Sequence, residues 1–190
     1  GMVYPFAPQV RGGTPNGFLP ADGRLLDISD YTALYAVLGT SFGGDGQTTF
    51  ALPDLRNRLP IGVGQTDIGI IGLGQEIGRD EISLMHTNLD GAAPVVTLQP
   101  SLGMHYVIST DGGYRVVDDT SLMMGQIGLY AGQRVPQDWT MAQGQVLSIR
   151  DDAALYSLLG NTFGGDGQTT FALPDLRGRT VVGTGGEQNL

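Results

Sequence analysis

The chain has 190 residues, with 31 glycines, no cysteine, and 19 acidic against 10 basic residues, a formal net charge of −9. That balance argues against nucleic acid or an anionic membrane as partner, because the cations that would neutralise phosphate are missing. Disulfides, thiolate metal sites and cysteine nucleophiles are excluded outright, and no run of about 18 apolar residues exists to span a bilayer. No signal peptide is visible, and Gly1 ahead of Met2 is read as an expression-tag scar.

Taken in chain order, a short strand is expected at Val3–Ala7, then a turn rich in Gly and Pro, then a second strand around GRLLDI. Tyr31, Leu34, Tyr35 and Leu38 fall at i, i+3, i+4 and i+7, one apolar stripe that predicts a short helix. Asp27 or Ser29 is expected to cap its start, and Gly39 stands where a left-handed C-cap belongs. The run FGGDGQTTFALPDLR follows at Phe42–Arg56. Within it Thr48, Phe50 and Leu52 alternate with Thr49 and Ala51, as in a half-buried strand that Pro53 ends.

The next stretch reads as strand and loop. EISL, PVVTL and HYVIST are expected strands, HYVIST–DGG–YRVV a hairpin, and GIIGLGQEIG a glycine-rich loop. Then the first order returns: a strand at Ile127–Ala131, another around GQVLSI, a helix with Ser148 or Asp151 as its cap and Gly160 at its end. FGGDGQTTFALPDLR recurs at Phe163–Arg177 with no letter changed. At an offset of 121, Leu34, Tyr35, Leu38 and Gly39 meet Leu155, Tyr156, Leu159 and Gly160. Upstream the offset is 124, so the first copy carries extra residues around QVRGGT. The organisation is repeat (3–65), insert (66–124), repeat (125–186), in an α+β class: two β-rich repeats, each with one short helix and glycine-rich loops, joined by an insert of short strands and glycine-rich loops. A repeat of this size buries only about 60–65% of its unfolded surface, so the units must lean on each other or on further chains.

The repeated run holds residue types suited to several chemistries. Gly43, Gly44 and Gly46, with Gly164, Gly165 and Gly167, permit φ > 0 and close backbone approach, and Asp45 or Asp166 can accept neighbouring N–H groups in an Asx-turn. A calcium loop would need more carboxylates, and a phosphate loop a Gly-Lys-Ser/Thr opening a helix. Thr49, Phe50 and Pro53, with Thr170, Phe171 and Pro174, complete the strand and its stop. Asp54 with Arg56 and Arg58, and Asp175 with Arg177 and Arg179, predict an ion-paired clamp whose arginine forks bond loop carbonyls. The rival reading, a catalytic aspartate beside an arginine anion clamp, lacks a nucleophile, base or metal nearby in sequence. GLGQEIG (Gly72–Gly78) is a near miss to a dinucleotide fingerprint and lacks its helix. His86 and His105 are read as polar loop or strand residues, and Met123, Met124 and Trp139 as core or inter-unit packing. No cofactor, metal or catalytic residue is expected.

With both copies on the page, DGRLLDISDYTALYAVLGTSFGGDGQTTFALPDLRNRLPIGVG and GQVLSIRDDAALYSLLGNTFGGDGQTTFALPDLRGRTVVGTG resemble the phage tail collar domain. The signature is Gly-Gly-Asp-Gly…Thr-Phe-x-Leu-Pro-Asp-Leu-Arg behind an apolar helix ending in Leu-Gly. GRDEISL and LQPSLGMHYVIS resemble the bacterial microcystin-dependent protein family, so the chain reads as one nearly full copy followed by a second collar without its own insert. The resemblance implies a structural or adhesive role, as in the short tail fibre tip, where collar domains help form a trimeric receptor-binding end. It implies a virion or phage-tail-like particle as location and self-association, with a trimer as the precedent. Some relatives gather an axial metal with His-x-His; here MHTN offers His86 but Asn88. Three functions compete: an oligomeric, receptor-binding tail-fibre-like protein; a carbohydrate-binding module stacking sugars on Trp139, Tyr4, Tyr106, Tyr114 and Tyr130; and a polysaccharide hydrolase using Asp45 and Asp54.

Overall fold

The computed structural model describes residues 1–5, 17–67, 69–78, 99–111 and 123–182. In chain order these form β1 (Met2–Val3), β2 (Leu25–Asp27), α1 (Thr32–Leu38), β3 (Thr49–Ala51), β4 (Leu59–Gly62), β5 (Gly64–Thr66), β6 (Gly69–Ile71), β7 (Glu76–Ile77) and β8 (Ser101–Ser109). Then come β9 (Ile127–Tyr130), β10 (Trp139–Met141), β11 (Val146–Ser148), α2 (Ala153–Leu159) and β12 (Thr170–Ala172). Strands predominate beside two short helices, compatible with the α+β class. The expected strands EISL, PVVTL and YRVV, and the QVRGGT loop, lie outside the described residues.

In each repeat a two-stranded ladder brackets the helix. β2 sets Leu26 opposite Phe50 on β3, and β11 sets Leu147 opposite Phe171 on β12. Both phenylalanines are fully buried, and burying such a side chain stabilises by about 1.5–3 kcal/mol. Around Phe50 gather Leu38, Leu52, Leu102 and Met104; around Phe171 gather Ile108, Leu155 and Leu173. A helix of two turns does not persist alone in water. Buried Leu38 and Leu155 hold these two in place, and the rings of Tyr35 and Tyr156 tilt against Phe50 and Phe171 at centroid distances of 5.5 Å.

Strand β8 joins the two cores. Its side chains alternate faces, which puts Leu102, Met104 and Ile108 on one side. The first two enter the Phe50 cluster and the third the Phe171 cluster. β4 runs parallel along its first half, Leu59 opposite Ser101 through Gly62 opposite Met104, and β7 pairs there antiparallel. β9 and β10 pair antiparallel with its second half, and β1 lies on the outer side of β9, with Met2 opposite Tyr130. Buried on both faces, β8 reads as a nearly continuous apolar run, as a central strand should.

Beyond the strand, the two repeats meet backbone to backbone. The Gly62 N–H donates to the Arg179 carbonyl (3.0 Å), the Gly178 N–H donates to the Gly62 carbonyl (2.8 Å), and the Thr180 hydroxyl donates to the Pro60 carbonyl (2.8 Å). A side chain at Gly62 would overlap the Leu176 carbonyl, so glycine is required there for closeness.

Several sequence-based expectations are corrected. The helix starts carry no side-chain cap from Asp27, Ser29, Ser148 or Asp151; the N-cap positions are Tyr31 and Asp152. The chain enters each helix through a backbone turn instead, with Tyr31 N–H donating to the Asp27 carbonyl and Asp152 N–H to that of Ser148. Gly39 and Gly160 have positive φ (58° and 57°) but ψ of −141° and −147°, near a region open essentially to glycine alone rather than the left-handed helical one. GIIGLGQEIG is not a loop: it holds β6, hairpinned to β5, and β7, with Gly69, Gly74 and Gly78 at positive φ taking the bends. The Thr48–Leu52 alternation also fails, because Phe50, Ala51 and Leu52 are all buried. The glycine loop folds back over the strand, where the Ala51 N–H donates to the Gly43 carbonyl. Met124 packs against the second core, but Met123 is exposed.

Gly62→Ala should lower the melting temperature by about 2–12 °C, from an overpacking cost of about 1–3 kcal/mol. Gly72→Ala should be near neutral, since a side chain there meets nothing closer than Gln75 Oε1 at 3.6 Å. Paired thermal melts check this; equal effects at the two positions would refute the junction contact.

Candidate functional site

The repeated run builds the same object twice. Gly43, Gly44 and Gly46 have φ of 122°, 92° and 69°; Gly164, Gly165 and Gly167 have 123°, 90° and 66°. At Gly44 a Cβ would lie 2.6 Å from the Thr49 carbonyl oxygen, and at Gly165 2.6 Å from that of Thr170. Only glycine allows the loop to press on its own strand so closely.

Inside this loop sits one carboxylate. Asp45 Oδ1 accepts the N–H groups of Gln47, Thr48 and Thr49 at 2.9, 2.8 and 2.8 Å, and Oδ2 accepts the Thr48 hydroxyl at 2.6 Å. Asp166 accepts Gln168, Thr169 and Thr170 at 2.9, 2.8 and 2.7 Å, and the Thr169 hydroxyl at 2.6 Å. The Asp45 and Asp166 N–H groups donate in turn to the Thr49 and Thr170 hydroxyls. Hydrogen bonds to the charged form, led by the threonine hydroxyls, hold both carboxyls far below the usual carboxylate range. The helix is tied to the same loop: Tyr35 donates its hydroxyl proton to the Gly46 carbonyl, and Tyr156 to that of Gly167, each at 3.0 Å. The apolar stripe concealed this second role; the signal for it was that this one tyrosine recurs in both copies, whereas Tyr31 meets Asp152.

After the strand, the Pro53 and Pro174 carbonyls accept the Gly23 and Gly144 N–H groups. The carboxylate then pairs with the arginine two residues on. Asp54 accepts Arg56 Nε at 2.9 Å and Nη2 at 2.8 Å; Asp175 accepts Arg177 Nε at 2.9 Å and Nη2 at 2.7 Å. The Arg56 side-chain hydrogen bond holds the Asp54 pKa down to about 2. The expected bonds from the forks to loop carbonyls are not formed, because the paired N–H groups return to the carboxylate; only Arg179 Nη1 reaches a carbonyl, that of Asp175, at 3.2 Å. Asp22 and Arg24 form a like pair beside Asp54, which the sequence reading missed. In the second copy Gln143 replaces that aspartate.

The surroundings of the two copies differ. Arg56 has 67% of its side chain exposed, against 36% for Arg177, because the Arg177 stem lies against Gly64 at the junction of the repeats. Arg58 instead reaches across to β7 and pairs with Glu76 at 2.7 Å.

As for chemistry, Asp45 is occupied by its own loop and Asp54 by Arg56. Among the described residues no group of three or more His, Asp or Glu could hold a metal ion. His105 stands in β8 opposite Tyr130, its Nδ1 without a hydrogen-bond partner and its pKa lowered by burial. His86 and Asn88 lie outside the described residues. Of the aromatics weighed for sugar stacking, Tyr106 and Tyr130 are buried, Tyr4 is exposed, Trp139 is half-buried, and Tyr114 lies outside the described residues.

A family model, the phage tail collar domain, matches residues 1–60 and 125–181. The matched ranges take in both copies of the repeated run and leave out residues 61–124, where GRDEISL and LQPSLGMHYVIS lie; the resemblance of those segments to microcystin-dependent proteins is not shown. Neither a curated protein nor a solved structure matches the chain.

Two outcomes follow from the paired carboxylates. Asp175→Asn should lower the melting temperature more than Asp54→Asn, since the Arg177 stem is packed at the junction whereas Arg56 is largely in solvent; equal losses would refute that asymmetry. Side-chain hydrogen bonds from Arg24 and Arg56 hold the folded pKa of Asp22 and Asp54 down to about 2, below the ordinary 3.8. Their stabilisation is therefore complete above about pH 4 and lost as pH falls towards 2. Melts between pH 7 and pH 2 should be flat at first and then decline, and a decline already under way at pH 6 would point to other groups.

Proposed function

The chain belongs to the phage tail collar domain family, and from that premise we propose that it is a non-enzymatic, adhesive part of a phage tail or tail-like particle. It assembles into oligomers, with the trimer of short tail fibres as the precedent, and contacts a glycan on the cell surface. One observation carries this reading: in both copies the signature carboxylates Asp45, Asp54, Asp166 and Asp175 are bound by their own loop or arginine, with pKa values pulled down. A general acid or base needs a pKa near the working pH, whereas strongly held, ionised carboxylates suit a rigid platform. The signature residues Gly43–Gly46, Thr49, Phe50, Pro53, Asp54 and Arg56, and their second-copy counterparts, serve in this reading as a backbone template and not as a reaction centre.

Self-association also suits the surface. Leu158, Phe163, Val181 and Val182 of the second repeat are exposed, at 45%, 48%, 50% and 70%. Their first-repeat counterparts fare differently: Ile61 is buried and Phe42 packs against the first core.

Size-exclusion chromatography with light scattering tests the assembly, and three chain masses is the expected result. A single chain mass, unchanged up to high concentration, would refute the oligomeric part. An array of bacterial surface oligosaccharides tests the adhesive part, which fails if none is retained.

A further inference from the structure

The two copies of Asp-Leu-Arg stand in different settings among the described residues. At Asp175–Arg179 the run is occupied by the junction, with Arg177 against Gly64, Gly178 against Thr66, and Gly178 and Arg179 bonded to Gly62. At Asp54–Arg58 the same chemistry borders a cleft of about 480 Å³, whose opposite wall is β7 with Gly78 and Pro100. That volume is in the range of small-molecule sites, about 300–1,000 Å³.

We propose that this cleft binds a neutral, hydroxyl-rich saccharide, the point at which the platform reads its receptor. The inference rests on the glycan reading above and assigns it a place and a chemical class. Among the described residues five polar side chains line the cleft: Asp54, Arg56, Asn57, Arg58 and Glu76. The two carboxylates and two guanidinium groups of this set balance in charge, and a chain of net charge −9 gives no general attraction to acidic polymers.

Each group keeps hydrogen-bonding capacity after pairing. A carboxylate offers about four lone-pair sites and a guanidinium five N–H donors. Arg56 gives Nε and Nη2 to Asp54, and Arg58 gives Nη2 to Glu76. The pairs hold planar donors and acceptors in fixed orientation, as adjacent hydroxyls on a sugar ring require, and fixing them beforehand reduces the entropy lost on binding. Ile77 and Pro100 add apolar surface for the C–H face of a ring.

Asn57 supplies an independent observation. It holds φ of 55°, and the equivalent Gly178 holds 66°. Glycine adopts that conformation without strain, so the second copy shows that the backbone here needs no side chain. The first copy nevertheless presents an amide, a donor and acceptor in one group, to the cleft.

The test uses the intact chain on an array of neutral and acidic bacterial oligosaccharides, followed by calorimetric titration of the strongest binder. Asn57→Gly and Glu76→Gln are compared with Arg150→Ala, an exposed residue of the second repeat. Asn57→Gly takes the backbone form that Gly178 already shows, so its fold is secure, and its melting temperature should stay within about 2 °C of the parent. The expected result is a neutral glycan bound by the parent, with affinity reduced about tenfold or more in both cleft variants, from hydrogen bonds lost in a recognising site, and unchanged in Arg150→Ala. If the parent binds a neutral glycan and both cleft variants bind it equally well, the cleft is overturned while the adhesive reading stands. Binding of acidic glycans alone overturns the chemical class. If the parent binds no glycan, the adhesive reading falls, and the cleft assignment with it.

Discussion

Everything in this fold depends on one strand being shared by two cores. Each repeat brings a helix, a two-stranded ladder and a phenylalanine, which together form a core too small to close itself. Strand β8 supplies Leu102 and Met104 to one core and Ile108 to the other, and hydrogen-bonds to four neighbouring strands along its length. Its backbone groups are satisfied and both its faces are covered. Neither repeat can lose it and stay closed.

On that frame each repeat carries a loop that needs little from outside. Glycines at positive φ fold it onto the strand, one aspartate gathers three N–H groups and a hydroxyl, and a tyrosine from the helix closes the last carbonyl. A polar loop satisfied from within can stand at a surface without melting, because its donors and acceptors are paired locally and not by chance contacts with water. The same letters then serve two settings. Where the second repeat meets the first, Arg177 lies along Gly64; in the first repeat Arg56 stands in solvent beside a cleft.

How much of this was legible in the letters depends on how local the physics is. The helices at Thr32–Leu38 and Ala153–Leu159 follow from a 3.6-residue stripe. The turn at Asp45 follows from an aspartate among glycines, and the Asp54–Arg56 pair from charges two residues apart. What was not legible is long-range. Nothing in Gly62 announces that another repeat's carbonyl lies against it, and GIIGLGQEIG becomes strand only because β5 and β8 offer it ladders. Identical runs cannot show which copy is buried at a junction, since that is set by neighbours more than a hundred residues away. The cap residues misled for a related reason: Asp27 and Ser148 stand at the right spacing, but their carbonyls, not their side chains, receive the entering turn.

The pairing of β1 with β9 has a consequence in time. Met2 lies opposite Tyr130, so β1 finds its ladder partner only after the intervening chain has been made. At translation rates of about 5–20 residues per second, that is a wait of roughly 6–25 s. Through that interval Met2 and Val3 have no edge to join, and the β2–β3 ladder must hold its helix without them. Within this sheet β1 is thus joined only once β9 has followed β8 out of the ribosome, and β10, made later still, completes the other edge. Loops of such length make the search slow in any chain, and here they also defer completion of the first repeat until the second one exists.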